Sequence, residues 1–391
     1  MASISLINRI KGSKLLYNIY FYLGTFALNC IKVFIRPNDR LILFVSYGGR
    51  KYDDTPKDIF EVMRIDPRFR NYDIVWAFNN PDNFNVFGCR KIKIDTLRYF
   101  ITALKARVWI TNVSITRGLS FRGKNTFSVN SWHGTAIKKI GVDAINDSTF
   151  RTKDDGRLAD VMLAQNKYDV NVYSRAFGVP KENIIITGFP RNDTLVTGNT
   201  PDNIIRLKRE MGLPIDKKII LYAPTFREYN RESGYNVIMR PPLDLNRWQE
   251  IFGEKYILVI RAHIAVAKLM GVEENSFIRN FSTYPELNNL LLVTDILISD
   301  YSGILFDYAI LERPIICYAY DYEKYNQVRG SYMDIREELV TAENENDLIE
   351  CVNNVEDSTM KLKVVSFKKK YVEKCGGSAK RALDVVYNAI S

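Results

Sequence analysis

Short apolar runs that alternate with helical segments constrain this chain more than any other feature. The run LILFV from Leu41 leads into a Gly48-Gly49 turn. Asp73–Phe78, Lys91–Ile94, Val108–Thr111, Thr126–Asn130, Val161–Ala164 and Ile184–Thr187 follow it. Between them lie segments with helix signals: Lys57–Met63 behind Pro56, Thr96–Lys105 and Tyr168–Phe177. Strands alternating with helices predict a parallel sheet covered on both faces. Pro190–Asp202, with Gly198 and Pro201, has the composition of a linker. A second alternation runs through Lys218–Tyr222, Tyr256–Ile260, Ile296–Ser299 and Pro314–Tyr318, with late helices at Asn346–Val355 and Ala379–Ile390. A length of 391 residues exceeds one ordinary core. The expected fold is α/β, with two Rossmann-like doubly wound domains, 37–197 and 198–375, facing a cleft. A segment 1–36 precedes them and a C-terminal helix, 376–391, follows.

Composition narrows the ligand. The five cysteines, Cys30, Cys89, Cys317, Cys351 and Cys375, are odd in number, widely spaced and lack a Cys-x-x-Cys pair. That argues for reduced thiols and against a zinc site or a disulfide framework. A net charge of +10 implies an anionic partner. With no basic region with heptads, no zinc-finger spacing and no RNP-like aromatic box, the reading is no nucleic acid. A phospholipid surface and a phosphorylated substrate remain. No G-x-G-x-x-G turn and no Walker loop is present, so neither a dinucleotide nor a triphosphate fold is inferred. No clustered Asp/Glu/His set is seen, so no metal site and no cofactor is expected.

The run Leu15–Ile31 carries no charge and is flanked by Arg9, Lys11 and Lys14 before it and Lys32, Arg36 and Arg40 after it. It is short for a spanning helix, and Asn18, Asn29 and Gly24 weaken it further. No small-residue cleavage site marks it as a signal peptide. Tyr17, Tyr20, Phe21, Tyr22 and Phe26 between basic flanks suit a helix lying at an anionic membrane surface, on the cytoplasmic side. The competing reading is a helix packed on the first domain.

The chain has two histidines, and both stand at the C-terminal ends of apolar runs. His133 lies in Ser131-Trp132-His133-Gly134-Thr135, with Lys138 close by, and His263 lies beside Arg261. Ligands of open α/β sheets bind at that end. Gly134 is expected to admit a ligand closely, and Thr135 to cap a helix. The two imidazoles are expected to face one cleft from separate halves. Ser299, Asp300 and Ser302 stand where a strand gives way to a helix, a place that binds phosphate without metal. Arg227, Arg191 and Arg329 follow strand or hinge segments and are candidate phosphate or cleft cations.

The motifs WHGTAIKKIG, GFPRND, APTFRE, RAH, ISDYSGILFDYAILERPIICYAYDYEKY and RGSYMD together resemble the CDP-glycerol:poly(glycerophosphate) glycerophosphotransferases, the teichoic-acid primase and polymerase family, over about residues 40–390. That resemblance implies a two-domain fold of the glycosyltransferase-B type and peripheral attachment to the cytoplasmic face of the cell membrane. It implies transfer of glycerol phosphate, or a related alditol phosphate, from CDP-glycerol or CDP-ribitol to an undecaprenyl-linked saccharide or glycerophosphate acceptor, with loss of CMP. The first domain would hold the acceptor, with Trp132, Gly134, Thr135, Lys138 and Arg191 at the cleft. The second would bind the donor through Arg227, Arg261, Ser299, Asp300, Ser302 and Arg329. His133 is the expected base, while His263 and Arg261 would neutralise the departing CMP. A divalent-metal requirement is not fixed by the resemblance. Ala136, Ile264, Gly303 and Cys375-Gly376-Gly377 depart from the family pattern, and the length resembles the shorter, primase-like members. A nucleotide-sugar glycosyltransferase of the same fold is the rival enzyme, and a membrane-surface scaffold is the rival of another class.

Overall fold

The central apolar runs form strands buried on both faces, as a parallel sheet between helix layers requires. In the computed structural model, which describes residues 13–144, 159–225, 227–229, 237–238 and 242–391, they make two parallel sheets. The first is seven-stranded: Asn38–Val45 (β1), Asp73–Phe78 (β2), Arg90–Lys93 (β3), Ala106–Thr111 (β4), Phe127–Asn130 (β5), Val161–Ala164 (β6) and Ile184–Ile186 (β7). Their order is β3-β2-β1-β4-β5-β6-β7.

Lys218–Ala223 (β8) opens the second half. Glu228–Tyr229 (β9) and Val237–Ile238 (β10) form a small antiparallel ribbon beyond it. Tyr256–Ile260 (β11), Ile278–Asn280 (β12), Ile296–Ser299 (β13), Ile315–Tyr318 (β14) and Val340–Ala342 (β15) complete a six-stranded sheet in the order β12-β11-β8-β13-β14-β15. Each order reverses beside its first strand, so crevices open beyond β1/β4 and β8/β13. The α/β expectation of two parallel sheets therefore holds.

One segment departs from the sequence reading. Pro190–Asp202 is not an open linker: Asp193–Thr197 is helical and the next helix starts at Pro201. The expected C-terminal helix is present at Ser378–Ile390. It returns to the first sheet, where Ala382, Leu383 and Val386 join Ile42, Phe44 and Trp76 in one buried cluster. Asp193 caps it, accepting from the Ser378 and Ala379 N–H groups at 2.8 Å each.

The N-terminal run forms a helix, Lys14–Phe34. One face docks on the first domain through buried Leu28, and Asn29 Nδ2 donates to the Ser120 carbonyl at 2.8 Å. Leu15, Ile19, Tyr22, Leu23, Phe26, Val33 and Phe34 stay exposed. No helix among the described residues is long and apolar enough to cross a membrane.

Leu383→Ala should lower the unfolding free energy by about 2–5 kcal/mol, since it empties a fully buried position. A urea titration measures it, and an unchanged midpoint would mean that the returning helix adds nothing to the fold.

Candidate functional site

The two crevices meet in one cavity of about 600 Å³ between the sheets. The first half contributes the loop after β1 and the first turn of the Asp54–Met63 helix. Their side chains in the cavity are Tyr47, Asp53, Asp54, Lys57 and Asp58. The segment after β5 adds Trp132 through Lys138, and Arg191 comes from beyond β7. Across the gap stand Thr225 after β8, Arg261 after β11, Glu286 to Asn289, and Ser302 to Ile304 after β13.

The backbone around His133 is strained. Among the described residues six non-glycines have left-handed φ, and three of them line this cavity: Tyr47 (47°), Asp54 (62°) and Trp132 (50°). Each costs on the order of 1–3 kcal/mol, and such residues persist where the surroundings over-determine them. Trp132 and Gly134 turn the chain sharply, so no helix begins at Thr135. Its hydroxyl instead donates to Asp169 at 3.1 Å. Gly134, at φ 125°, is bare for a reason other than a ligand: a Cβ there would lie 2.6 Å from Arg191 Nη2.

His133 stacks on Trp132, with ring centroids 3.9 Å apart, and its Nδ1 lies 3.4 Å from the Asn112 carbonyl. A carbonyl only accepts, so Nδ1 carries the proton and Nε2 is left with a lone pair. The residue is exposed to the cavity, yet the protein atoms around it desolvate the ring. That burial pushes the imidazole pKa down to about 4, against the pull of the Asp54 carboxylate and the Asn112 carbonyl and with the push of Arg191 and Lys138. The ring is neutral at pH 7.

Arg191 is not an open cleft cation. Nη1 pairs with Asp54 at 3.2 Å and Nη2 with Asp307 at 2.9 Å, so the guanidinium clamps one half to the other. Lys57 likewise spends its charge on Glu286, 2.9 Å across the gap. Among the described residues Lys138 and Arg261 are the lining cations with no carboxylate in ion-pairing range. Arg261 Nη1 is steadied by the Phe281 and Tyr284 carbonyls at 3.2 and 2.5 Å. Burial depresses the Lys138 ammonium, and the Arg329 cation adds to that. Among the described residues Asp58 has no hydrogen-bond partner, and burial lifts its carboxyl to about 7.

Other candidates are placed differently. Arg227 is buried outside the lining, with Nε and Nη2 on Asp321 at 2.8 and 2.9 Å and Nη1 on Asp300 at 3.0 Å, between the rings of Tyr301, Tyr320 and Tyr325. It is a structural cation, not an open phosphate ligand. Asp300 also accepts the Thr225 N–H at 3.0 Å, and the Ser299 hydroxyl donates to the Ala223 carbonyl at 2.6 Å. Both are spent on holding strand ends. Ser302 does line the cavity.

Arg329 ends the Tyr322–Arg329 helix, outside the lining. The loop after it pairs with the WHGT segment: Lys139 N–H donates to Gly330 at 3.0 Å and Tyr332 N–H to Ile137 at 2.8 Å. His263 is exposed at the foot of the Ile264–Leu269 helix and is not among the lining residues. The expected meeting of the two imidazoles is thus seen for His133 alone. No group of three or more His, Cys, Asp or Glu side chains among the described residues is placed to hold a metal.

Sequence reasoning missed Tyr47, Asp54, Asp58 and Asp307. A lone Tyr or Asp carries no motif, and only folding brings these four together.

Two doubly wound halves closing on a polar cleft, with a neutral imidazole and unpaired cations, define an α/β enzyme of the group-transfer class. UDP-GlcNAc 2-epimerase from Neisseria meningitidis has this fold at TM-score 0.55 and 13% identity, over 89% of this chain and all of that one. The chain belongs to the CDP-Glycerol:Poly(glycerophosphate) glycerophosphotransferase family, whose model matches residues 27–390. It is 30% identical to the teichoic acid glycerol-phosphate transferase of Staphylococcus aureus (strain NCTC 8325 / PS 47), covering 82% of this chain and 85% of that one. It is also 30% identical to the teichoic acid poly(glycerol phosphate) polymerase of Bacillus spizizenii, over 89% and 92% of the two chains. A histidine-to-asparagine variant of the wall teichoic acid polymerase TagF, soaked with CDPG, superposes at TM-score 0.81 and 26% identity over 95% of this chain and 98% of that one.

Arg227→Met should cost about 3–5 kcal/mol of stability, because it removes the buried cation that binds both Asp300 and Asp321. A wild-type urea midpoint would mean that those carboxylates do not depend on it.

Proposed function

We propose that this chain transfers glycerol phosphate from CDP-glycerol to a lipid-linked acceptor in wall teichoic acid synthesis and releases CMP. The observation that carries the reading is the juxtaposition, in one interdomain cavity, of a neutral His133 with the unpaired cations Lys138 and Arg261.

Displacement at phosphorus needs an acceptor hydroxyl stripped of its proton and a leaving group whose charge is met. His133 Nε2 takes the proton as the acceptor oxygen bonds to the phosphorus bearing glycerol. The bond from that phosphorus to the bridging oxygen breaks, and CMP leaves with the electron pair. Lys138 and Arg261 meet the phosphoryl oxygens, and Ser302 stands in the same lining. The arrangement fits the glycosyltransferase-B type, with acceptor on the first half and donor on the second. CDP-ribitol is the alternative donor.

The acceptor reaches the cleft from a membrane. The outer face of the Lys14–Phe34 helix, with Leu15, Leu23 and Phe26 exposed between Lys14 and Lys32, suits an anionic bilayer surface on the cytoplasmic side. Flotation with liposomes containing anionic lipid tests this, and Leu23→Glu with Phe26→Glu should abolish it.

CMP release from CDP-glycerol, compared with CDP-ribitol and UDP-sugars, tests the reaction. His133→Ala should cut turnover by roughly a hundredfold or more with the fold intact. Wild-type turnover in that variant would remove His133 from the chemistry.

The pH profile gives a further test. A base must be unprotonated, so activity should persist as pH falls through 6.5 and fail only near the depressed pKa of about 4. In an Asp58→Asn background, which removes a lining carboxyl that titrates near neutrality, kcat/KM at pH 5.5 should stay within about twofold of its value at pH 7.5. A fall centred near 6.5 would show an imidazole that the cleft does not perturb.

A further inference from the structure

We propose that Asp54 is the positioning residue for His133, fixing the tautomer and direction of the imidazole through Asn112 without itself being the base. Its carboxylate is the hub of the cage behind the ring. Oδ2 accepts from the Tyr47 hydroxyl at 2.7 Å and from Asn112 Nδ2 at 3.1 Å. Asn112 Oδ1 accepts the Tyr47 N–H at 2.8 Å, which closes a three-membered ring of contacts. The main-chain carbonyl of the same Asn112 faces His133 Nδ1 at 3.4 Å. Holding the Asn112 side chain from both ends therefore aims its carbonyl, and that carbonyl keeps the proton on Nδ1 and the lone pair on Nε2.

Three further observations place this role on Asp54. Its backbone is left-handed at φ 62°, and its own Oδ1 accepts the Thr55 N–H at 2.7 Å, so the residue is held against its intrinsic preference. Its carboxylate is 2% exposed, too deep to be a freely solvated cap. And Arg191, which neutralises it, also binds Asp307 on the other half. Through Arg191 the cage is thus tied to the second half as well. The charged and titratable groups facing the ring are Asp54, Arg191, Lys138 and Tyr47, all of which either belong to this cage or line the same wall.

Asp54→Asn tests it, because Asn is tolerated at left-handed φ and keeps the shape while losing the charge. Positioning partners of this kind cost about 10–100-fold when removed, so kcat for CMP release should fall at least about tenfold with the KM for CDP-glycerol within about threefold. Wild-type kcat overturns the proposal. A raised KM with kcat unchanged also overturns it, by making Asp54 a substrate contact.

The wild-type enzyme supplies a second test that needs no stable variant. Nitrogen-15 shifts of its two histidines, assigned with His263→Gln, should show His133 as the Nδ1–H tautomer. An Nε2–H tautomer overturns the proposal. Only the kinetic arm rests on the transfer reading. Were the wild type to release no CMP, that reading would fall, while the tautomer would still decide the role of Asp54.

Discussion

A buried guanidinium between two carboxylates holds the cleft together. Arg191 reaches Asp54 on the first half and Asp307 on the second, and the Asn288 side chain from the second half donates to its backbone carbonyl. Burying three charges costs more in lost hydration than a packed apolar cluster would, so such a triad is weak evidence for stability. Its value is directional. Apolar surfaces slide, whereas a forked cation fixes angle and distance at once. The two sheets can therefore present strand ends to each other at one spacing, which a reaction at a single phosphorus needs.

That constraint also decides which charges are left for a ligand. The chain carries +10 overall, yet four cations and five carboxylates line the cavity. Net charge consequently says little about this cleft. What matters is pairing: Arg191 and Lys57 are spent on carboxylates, Arg227 is spent behind the wall, and Lys138 and Arg261 are not spent. A small number of unpaired cations in a mixed field favours selection by position over general attraction.

The fold was legible because each strand is an apolar run ended by Gly, Pro or a polar turn, a local signal. Asp73–Phe78 and Tyr256–Ile260 have the limits that their residues suggest. His133 was legible because histidine is rare here. The helix expected at Thr135 failed because the strained turn at Trp132 and Gly134 overrides local capping preference. The burial of Arg227 was not legible, since a cation after a strand looks the same whether it faces solvent or two buried carboxylates. Asp54 and Asp307 were invisible for a related reason: their meaning lies in Arg191, far from both in sequence. The helix Ser358–Tyr371 escaped notice because its apolar residues are interspersed with lysines and give a weak stripe.

The run Gly188–Asp193 shows why single substitutions here are hard to read in isolation. Gly188 is bare because a Cβ would lie 2.5 Å from the Lys374 carbonyl, where the chain turns back toward the first half. Arg191 clamps the domains, Asn192 donates to Asp307 at 2.6 Å, and Asp193 caps the returning helix. Cleft geometry, domain contact and the docking of the C-terminal helix thus share one short stretch. Changes within it act on coupled contacts, and their effects on stability and on turnover do not add. The cleft lining and the fastening of the last helix thus share the contacts of one six-residue stretch.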